Sequence, residues 1–115
     1  MDRLVFTYEA GKASVVEIRK DAIDIYNYSV LFRELLKVIS DSGTKQVVLD
    51  LKQVNAVDSV GVGLLARFRD TARQHGVNVA VVCTNKSILK ILELLNMKEA
   101  VNTRGSIGGA IIDPE

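Results

Sequence analysis

VVLDLKQVNAVDSVGVGLL, Val47 to Leu65, begins as a continuous apolar run, breaks at Asp58-Ser59, passes two glycines and resumes at once with helical spacing. A valine-rich run without alternation suits a strand covered on both faces. For the helix that follows, Leu64 is placed at the middle of the buried face and each residue is stepped by about 100°. Leu64, Leu65, Phe68 and Ala72 then share one stripe. Gly61 projects to the same side, where the lack of a side chain lets the first turn sit close to the strands. Ser59, Val62, Gly63, Ala66 and Asp70 fall on the far side. That outer face is small or apolar over its first two turns, whereas a solvated helix face normally carries long charged residues.

Working outward, VNVAVVC (77–83) repeats the buried-strand pattern, and Val60 to Gln74, closed by His75-Gly76, lies between the two runs as a helix. LVFTYE (4–9) alternates like a half-exposed strand, and SVVEIR (14–19) follows across an Ala-Gly-Lys turn as the second arm of an antiparallel hairpin. From Tyr28 to Ile39, Leu31, Phe32, Leu35, Leu36 and Ile39 recur at helical spacing, with Asn27 or Ser29 as cap. A third helix is expected over Lys86 to Leu95, capped by Thr84 or Asn85, with Asn96 left-handed at its end. EAVNT (99–103) supplies a last short strand. Alternating strands and helices imply parallel pairing through crossover helices. The expected fold is therefore α/β: one domain over 1–115, with a mixed sheet of four to five strands. Its N-terminal hairpin is antiparallel and the remaining strands are mainly parallel. The glycine-rich tail, 104–115, is left without an assignment.

Composition narrows the function. The 115 residues carry 15 basic and 14 acidic side chains, a formal charge of +1, and these are scattered rather than blocked. Neither a general nucleic-acid binder nor a membrane-surface binder is suggested. The start, MDRLVFTYEA, lacks an apolar core of signal-peptide length, and no segment approaches a membrane span. The single Cys83 excludes an intramolecular disulfide and a multi-cysteine metal site. A reducing, cytoplasmic setting and no cofactor are the expectation.

Ser59 is the residue around which a function can be built. Asp58 is the natural N-cap, its carboxylate accepting from a first-turn N–H, which places Ser59 at the first helical position. The positive end of a helix favours an anion there, so a phosphate on Ser59, adding a charge of roughly −1.5 to −2, would leave the domain folded. It would repel a partner shaped for a neutral hydroxyl. The plainer alternative is that the small outer residues lie under another part of the same chain, such as the tail. Catalysis fares worse. A nucleophile elbow needs glycine two residues before the serine, where Val57 stands. His75, the only histidine, is about 24 Å of helical rise away and more naturally ends the helix against its last carbonyls. Gly61-x-Gly63 is too short for a dinucleotide loop, and no Lys-Ser/Thr pair completes a P-loop. Asp50 lacks His or Cys neighbours for a metal, Cys83 reads as a small buried hydrophobe, and Asp24 is either a partner contact or the cap of a turn.

Taken together, the Asp-Ser-x-Gly-x-Gly-x-Leu pattern formed by Asp58, Ser59, Gly61, Gly63 and Leu65, after a hydrophobic strand ending in Asp50, resembles the central segment of STAS domains of the anti-sigma factor antagonist group. Asp24 and Asn27, followed by Leu31 and Leu35, match that family's Asp-x-x-Asn approach to its first helix. Val60 departs from the small polar residue common after the serine, and the tail does not look like the family's final amphipathic helix. The resemblance implies a non-catalytic switch. A serine at the position of Ser59 is phosphorylated by a partner that is both serine kinase and anti-sigma factor; the unphosphorylated antagonist binds that partner and releases the sigma factor, and a serine phosphatase resets it. Partner contact is assigned on this basis to Asp24, Asp58, Ser59, Val60, Val62, Gly63 and Ala66, with a homodimer left open. Two other readings stand beside it. One is an unmodified scaffold or accessory subunit of a stress-signalling complex or lipid-transport ATPase. The other is a domain that binds a nucleotide or another small molecule.

Overall fold

The computed structural model describes residues 4–41 and 43–97, together with the backbone of 101–102. Residues 98–100 and the tail fall outside them. The elements are β1 (Val5–Ala10), β2 (Ala13–Ile18), β3 (Ala22–Ile23), α1 (Tyr28–Ser40), β4 (Gln46–Asp50), β5 (Ala56–Val57), α2 (Ser59–Gln74), β6 (Asn78–Val82), α3 (Lys86–Leu94) and β7 (Val101–Asn102). Five strands form a mixed sheet in the order β1-β2-β4-β6-β7. The β1–β2 pair is antiparallel and the other three pairs are parallel, which is the α/β architecture expected. The hairpin closes on Ala10 opposite Ala13, and Gly11 takes φ +63° in the two-residue turn, where an L side chain would be strained.

The strands alternate in what they bury, as a period of two requires. Val16, Val47, Leu49 and Val81 join a cluster with Leu31, Leu35, Leu64, Leu65, Phe68, Ala72, Ile88 and Leu92 from the three helices. Ala13, Val15, Val48, Ala80 and Val82 form a second cluster on the opposite face of the sheet, with Tyr8 and Ala10 against it. The central strands are apolar on both faces for this reason, and so their sequence shows no alternation.

Local chemistry sets the helix ends. Asn85 caps α3, its Oδ1 accepting from the Ser87 and Ile88 amides at 2.9 and 3.1 Å. Asn96 lies at φ 57° just beyond it. His75 closes α2, with Nδ1 2.9 Å from the Thr71 carbonyl oxygen, and Gly76 turns the chain at φ +69°. Asn27 corrects an expectation. It occupies the N-cap position of α1, but its side chain makes no capping bond. The carboxamide instead faces backward, accepting from the Asp24 amide at 3.0 Å and donating to the Ala22 carbonyl at 2.8 Å. In α1, Val38 joins Leu31, Leu35 and Ile39 in the core, while Phe32 is half-buried under the Arg67 guanidinium, 4.4 Å from the ring centroid.

The sequence pattern did not expose β3 and β5. Each is two residues long, and they pair in parallel, Ala22 with Ala56 and Ile23 with Val57, as a small separate sheet. The Asn55 and Ala56 amides both donate to the Asp21 carbonyl at 2.7 and 3.2 Å, starting the pairing. This clamp brings the segment before α1 against the start of α2.

Candidate functional site

Ser59 is exposed at the first position of α2, and among the described residues its hydroxyl makes no hydrogen bond. Asp58 is the cap. Its Oδ1 accepts from the Gly61 amide at 2.8 Å, and its backbone carbonyl accepts from the Val62 amide at 2.9 Å. The other carboxylate oxygen, Oδ2, lies 3.4 Å from the Ile25 amide, which donates to it, and the Asp58 amide donates to the Ile23 carbonyl at 3.2 Å. One aspartate thus holds both the first turn of α2 and the loop that precedes α1.

Gly61 makes this approach possible. A Cβ there would sit 2.4 Å from the Ile23 carbonyl oxygen and 2.7 Å from Val57 Cγ1. The backbone of β3 therefore crosses directly over the first turn of α2, in the space a side chain would take. Gly63, two residues on, faces solvent with nothing near such a Cβ.

Asp24 is half-buried and caps its own turn, Oδ1 accepting from the Tyr26 and Asn27 amides at 2.9 and 3.3 Å. With Asn27 bonding back to Asp24 and Ala22, the turn 24–27 is hydrogen-bonded from both ends. What it displays is apolar: Ile25 is 59% exposed and Tyr26 91% exposed. Neither is assigned to the site from the sequence alone. The available signal was an apolar pair inside a turn flanked by Asp24 and Asn27, where turn residues are ordinarily polar. Val60, Val62 and Ala66 are half-buried, and with exposed Gly63 they form the small-residue outer face of α2. Asp58, Ser59, Val60, Val62, Gly63 and Ala66 thus lie along one helix, and the Asp58–Ile25 bond joins the Asp24 turn to it.

His75 lies at the other end of α2, bonded to Thr71. Asp50 is buried, accepting from the Lys52 amide at 3.0 Å with the Lys52 ammonium 3.7 Å away. Cys83 is buried, and burial pushes its thiol pKa up, away from the reactive thiolate. Among the described residues no group of three or more His, Cys, Asp or Glu could hold a metal, and no helix is long and apolar enough to cross a membrane.

Asp58→Ala removes the cap and the bond to Ile25 together. It should lower stability by about 1–2 kcal/mol, measured by urea unfolding. Faster amide exchange at Ile25, in a segment distant in sequence, should accompany it. Unchanged exchange at Ile25 would show that the long 3.4 Å contact holds nothing.

A family model described as STAS domain matches residues 7–110. Solved structures share the fold at low identity. An anti-sigma factor antagonist from Mycobacterium paratuberculosis is 21% identical, with a TM-score of 0.75 over 92% of this chain and 88% of that one. The Bacillus cell fate determinant SpoIIAA in its phosphorylated form is 10% identical, with a TM-score of 0.68 over 85% and 88%. The murine Solute Carrier 26 family member A9 anion transporter is 19% identical, with a TM-score of 0.72 over 90% of this chain but only 18% of that one.

Proposed function

This chain belongs to the STAS domain family, and from that premise we propose that it is an anti-sigma factor antagonist, a cytoplasmic binding protein switched at Ser59. In this reading, the unphosphorylated chain docks an anti-sigma factor that is also a serine kinase, and the sigma factor is released. Transfer of a phosphoryl group to the Ser59 hydroxyl ends the complex, and a serine phosphatase restores it. The supporting observation is the exposed hydroxyl of Ser59, unbonded among the described residues, at a helix start that already tolerates negative charge, beside a hydrogen-bonded apolar turn. Structures of an anti-sigma factor antagonist, and of SpoIIAA in a phosphorylated form, share this fold.

Each residue has a physical role in that account. Ile25 and Tyr26 supply apolar contact area, and the small outer face of Val60, Val62, Gly63 and Ala66 lets a partner approach the helix closely. Asp24 and Asp58 hold the turn and helix in register and set a negative field around Ser59. The test is incubation with the cognate anti-sigma kinase and ATP. Label should appear on Ser59 and vanish in Ser59→Ala, whose fold is unchanged; label elsewhere, or none, defeats the proposal.

Tyr26→Ala should weaken partner binding about tenfold, the effect typical of an exposed aromatic anchor, while changing stability by less than about 0.5 kcal/mol because the ring packs on little in the free protein. Calorimetric titration and thermal melting of the same sample separate the two. Equal affinity for both proteins would remove Tyr26 from the interface.

The match to part of a much longer anion transporter favours a second reading, an accessory role in which Ser59 is a contact and never a phosphate acceptor. The kinase assay distinguishes them, since that role predicts no label at Ser59 with any anti-sigma kinase.

A further inference from the structure

The geometry points to β1 as the contact through which two copies of this chain pair, edge to edge, as an antiparallel dimer. Among the described residues β1 is one end of the five-stranded sheet, and only β2 pairs with it. The strand holds no residue of the Ser59 surface, so the inference does not rest on the docking proposal.

The hydrogen-bond phase of the hairpin decides which groups β1 presents at the edge. The Arg19 amide donates to the Leu4 carbonyl at 2.8 Å, and beyond it the register sets Phe6 opposite Glu17, Tyr8 opposite Val15 and Ala10 opposite Ala13. In an antiparallel ladder, alternate residues bond to the neighbouring strand. Leu4, Phe6, Tyr8 and Ala10 therefore turn their backbone groups toward β2, and Val5, Thr7 and Glu9 turn theirs outward. Such an edge is ordinarily blunted by proline, lysine, a bulge or shortness. β1 has none of these: it runs for six residues, VFTYEA, in unbroken register. Its one charge, Glu9, is drawn back onto β2, accepting from the Ser14 hydroxyl at 3.1 Å. The strand at the other end of the sheet, β7, has only two residues.

A second copy is the occupant because the strand complements itself. With two β1 strands antiparallel about Thr7, Val5 faces Glu9 of the second copy, Thr7 faces Thr7, and Glu9 faces Val5. Every outward-facing residue then has a partner, each pair exchanges both main-chain bonds, and no like charges are opposed. The intervening positions, where side chains approach most closely, set Phe6 against Tyr8 of the second copy on both sides of the axis. These rings are already placed for it. Phe6 is 43% exposed, lies 5.6 Å from Tyr8 between ring centroids, and carries the Arg19 guanidinium 4.4 Å above its own. Tilted aromatic pairs across the axis add to the main-chain bonds. Shifting the register by two residues leaves Val5 or Glu9 past the end of the facing strand. A one-residue slip sets outward-facing groups against inward-facing ones. A two-fold contact of this kind closes on itself, and β7 is too short to extend it into a filament.

The test is sedimentation velocity of the full chain over a concentration series, for the unmodified sequence, Thr7→Lys, Thr7→Glu and an equimolar mixture of the two variants. A weak dimer is expected of the unmodified chain, its fraction rising with concentration, because a single strand pair lies at the small end of specific interfaces. Each variant alone opposes like charges on the two-fold axis and should dimerise at least about tenfold more weakly. The mixture opposes Lys to Glu and should recover the unmodified affinity. Thr7 is exposed and its amide faces outward, so dilute samples of both variants should melt with the unmodified protein. A monomer at every concentration would overturn the assignment and leave the edge to a strand of another protein. A dimer that survives both variants, or a mixture that associates no better than its components, would overturn it as well.

Discussion

Gly61→Ala is expected to lower stability by about 3 kcal/mol, a fall of roughly 10 °C in thermal midpoint for a domain of this size, whereas Gly63→Ala should raise it slightly. Both residues are glycines in the first two turns of α2, and alanine is the better helix former at either by up to about 1 kcal/mol. Their surroundings differ. At Gly61 a methyl group would meet the Ile23 backbone carbonyl at 2.4 Å, and a backbone oxygen cannot move aside without breaking the β3–β5 pairing. At Gly63 nothing lies within 4 Å. The helix-propensity gain at Gly61 is therefore overwhelmed, and the damage spreads to the Ile25–Tyr26 turn through the Asp58 bond. Thermal melting of both variants checks the contrast. Equal shifts would mean that the close crossing of β3 over α2 does not exist in solution.

A phosphate on Ser59 should lower affinity for the anti-sigma partner about 100-fold, or about 2.7 kcal/mol, while leaving the fold intact. The two effects have opposite signs because they arise on opposite sides of the same group. Toward the protein, a charge of roughly −1.5 to −2 sits at the positive end of α2, and the exposed position leaves its outer oxygens in water. Toward a partner, the same dianion stands among Ile25, Tyr26, Val60 and Val62. A closed interface would have to strip its water without supplying a compensating charge. Burying an unpaired charge costs about 3–5 kcal/mol, and incomplete burial at an interface reduces this to the figure given. Ser59→Asp, with one charge on a shorter arm, should fall between the phosphate and Ser59→Ala, which keeps affinity within about threefold. Circular dichroism and melting of the phosphorylated protein should match those of the unmodified one.

Much of this is legible in the sequence alone, for reasons that lie in single elements. The 100° steps along α2 placed Leu64, Leu65, Phe68 and Ala72 inward and Ser59 outward, because one long amphipathic helix obeys a local rule. Continuous valine runs identified the central strands, since both faces of the sheet are covered. Asn96 and His75 followed from the chemistry of helix ends. The β3–β5 clamp was not legible, because two residues carry no period and the pairing joins positions 34 apart, as Ala22 with Ala56. Asn27 misled for a similar reason: its capping preference is local, but Asp24 and Ala22 compete for the same carboxamide and win. The apolar exposure of Ile25 and Tyr26 is a tertiary fact that no window of sequence contains. The expected final strand is present at Val101–Asn102, and the tail beyond it lies outside the described residues.

The most direct measurement is the dissociation constant of the purified anti-sigma kinase for two preparations of this protein, one unmodified and one phosphorylated at Ser59 alone. A tight complex with the first and a loss of about two orders of magnitude with the second is the predicted result. Indistinguishable affinities, with both proteins folded, would contradict the claim that the charge on this one hydroxyl decides who may bind.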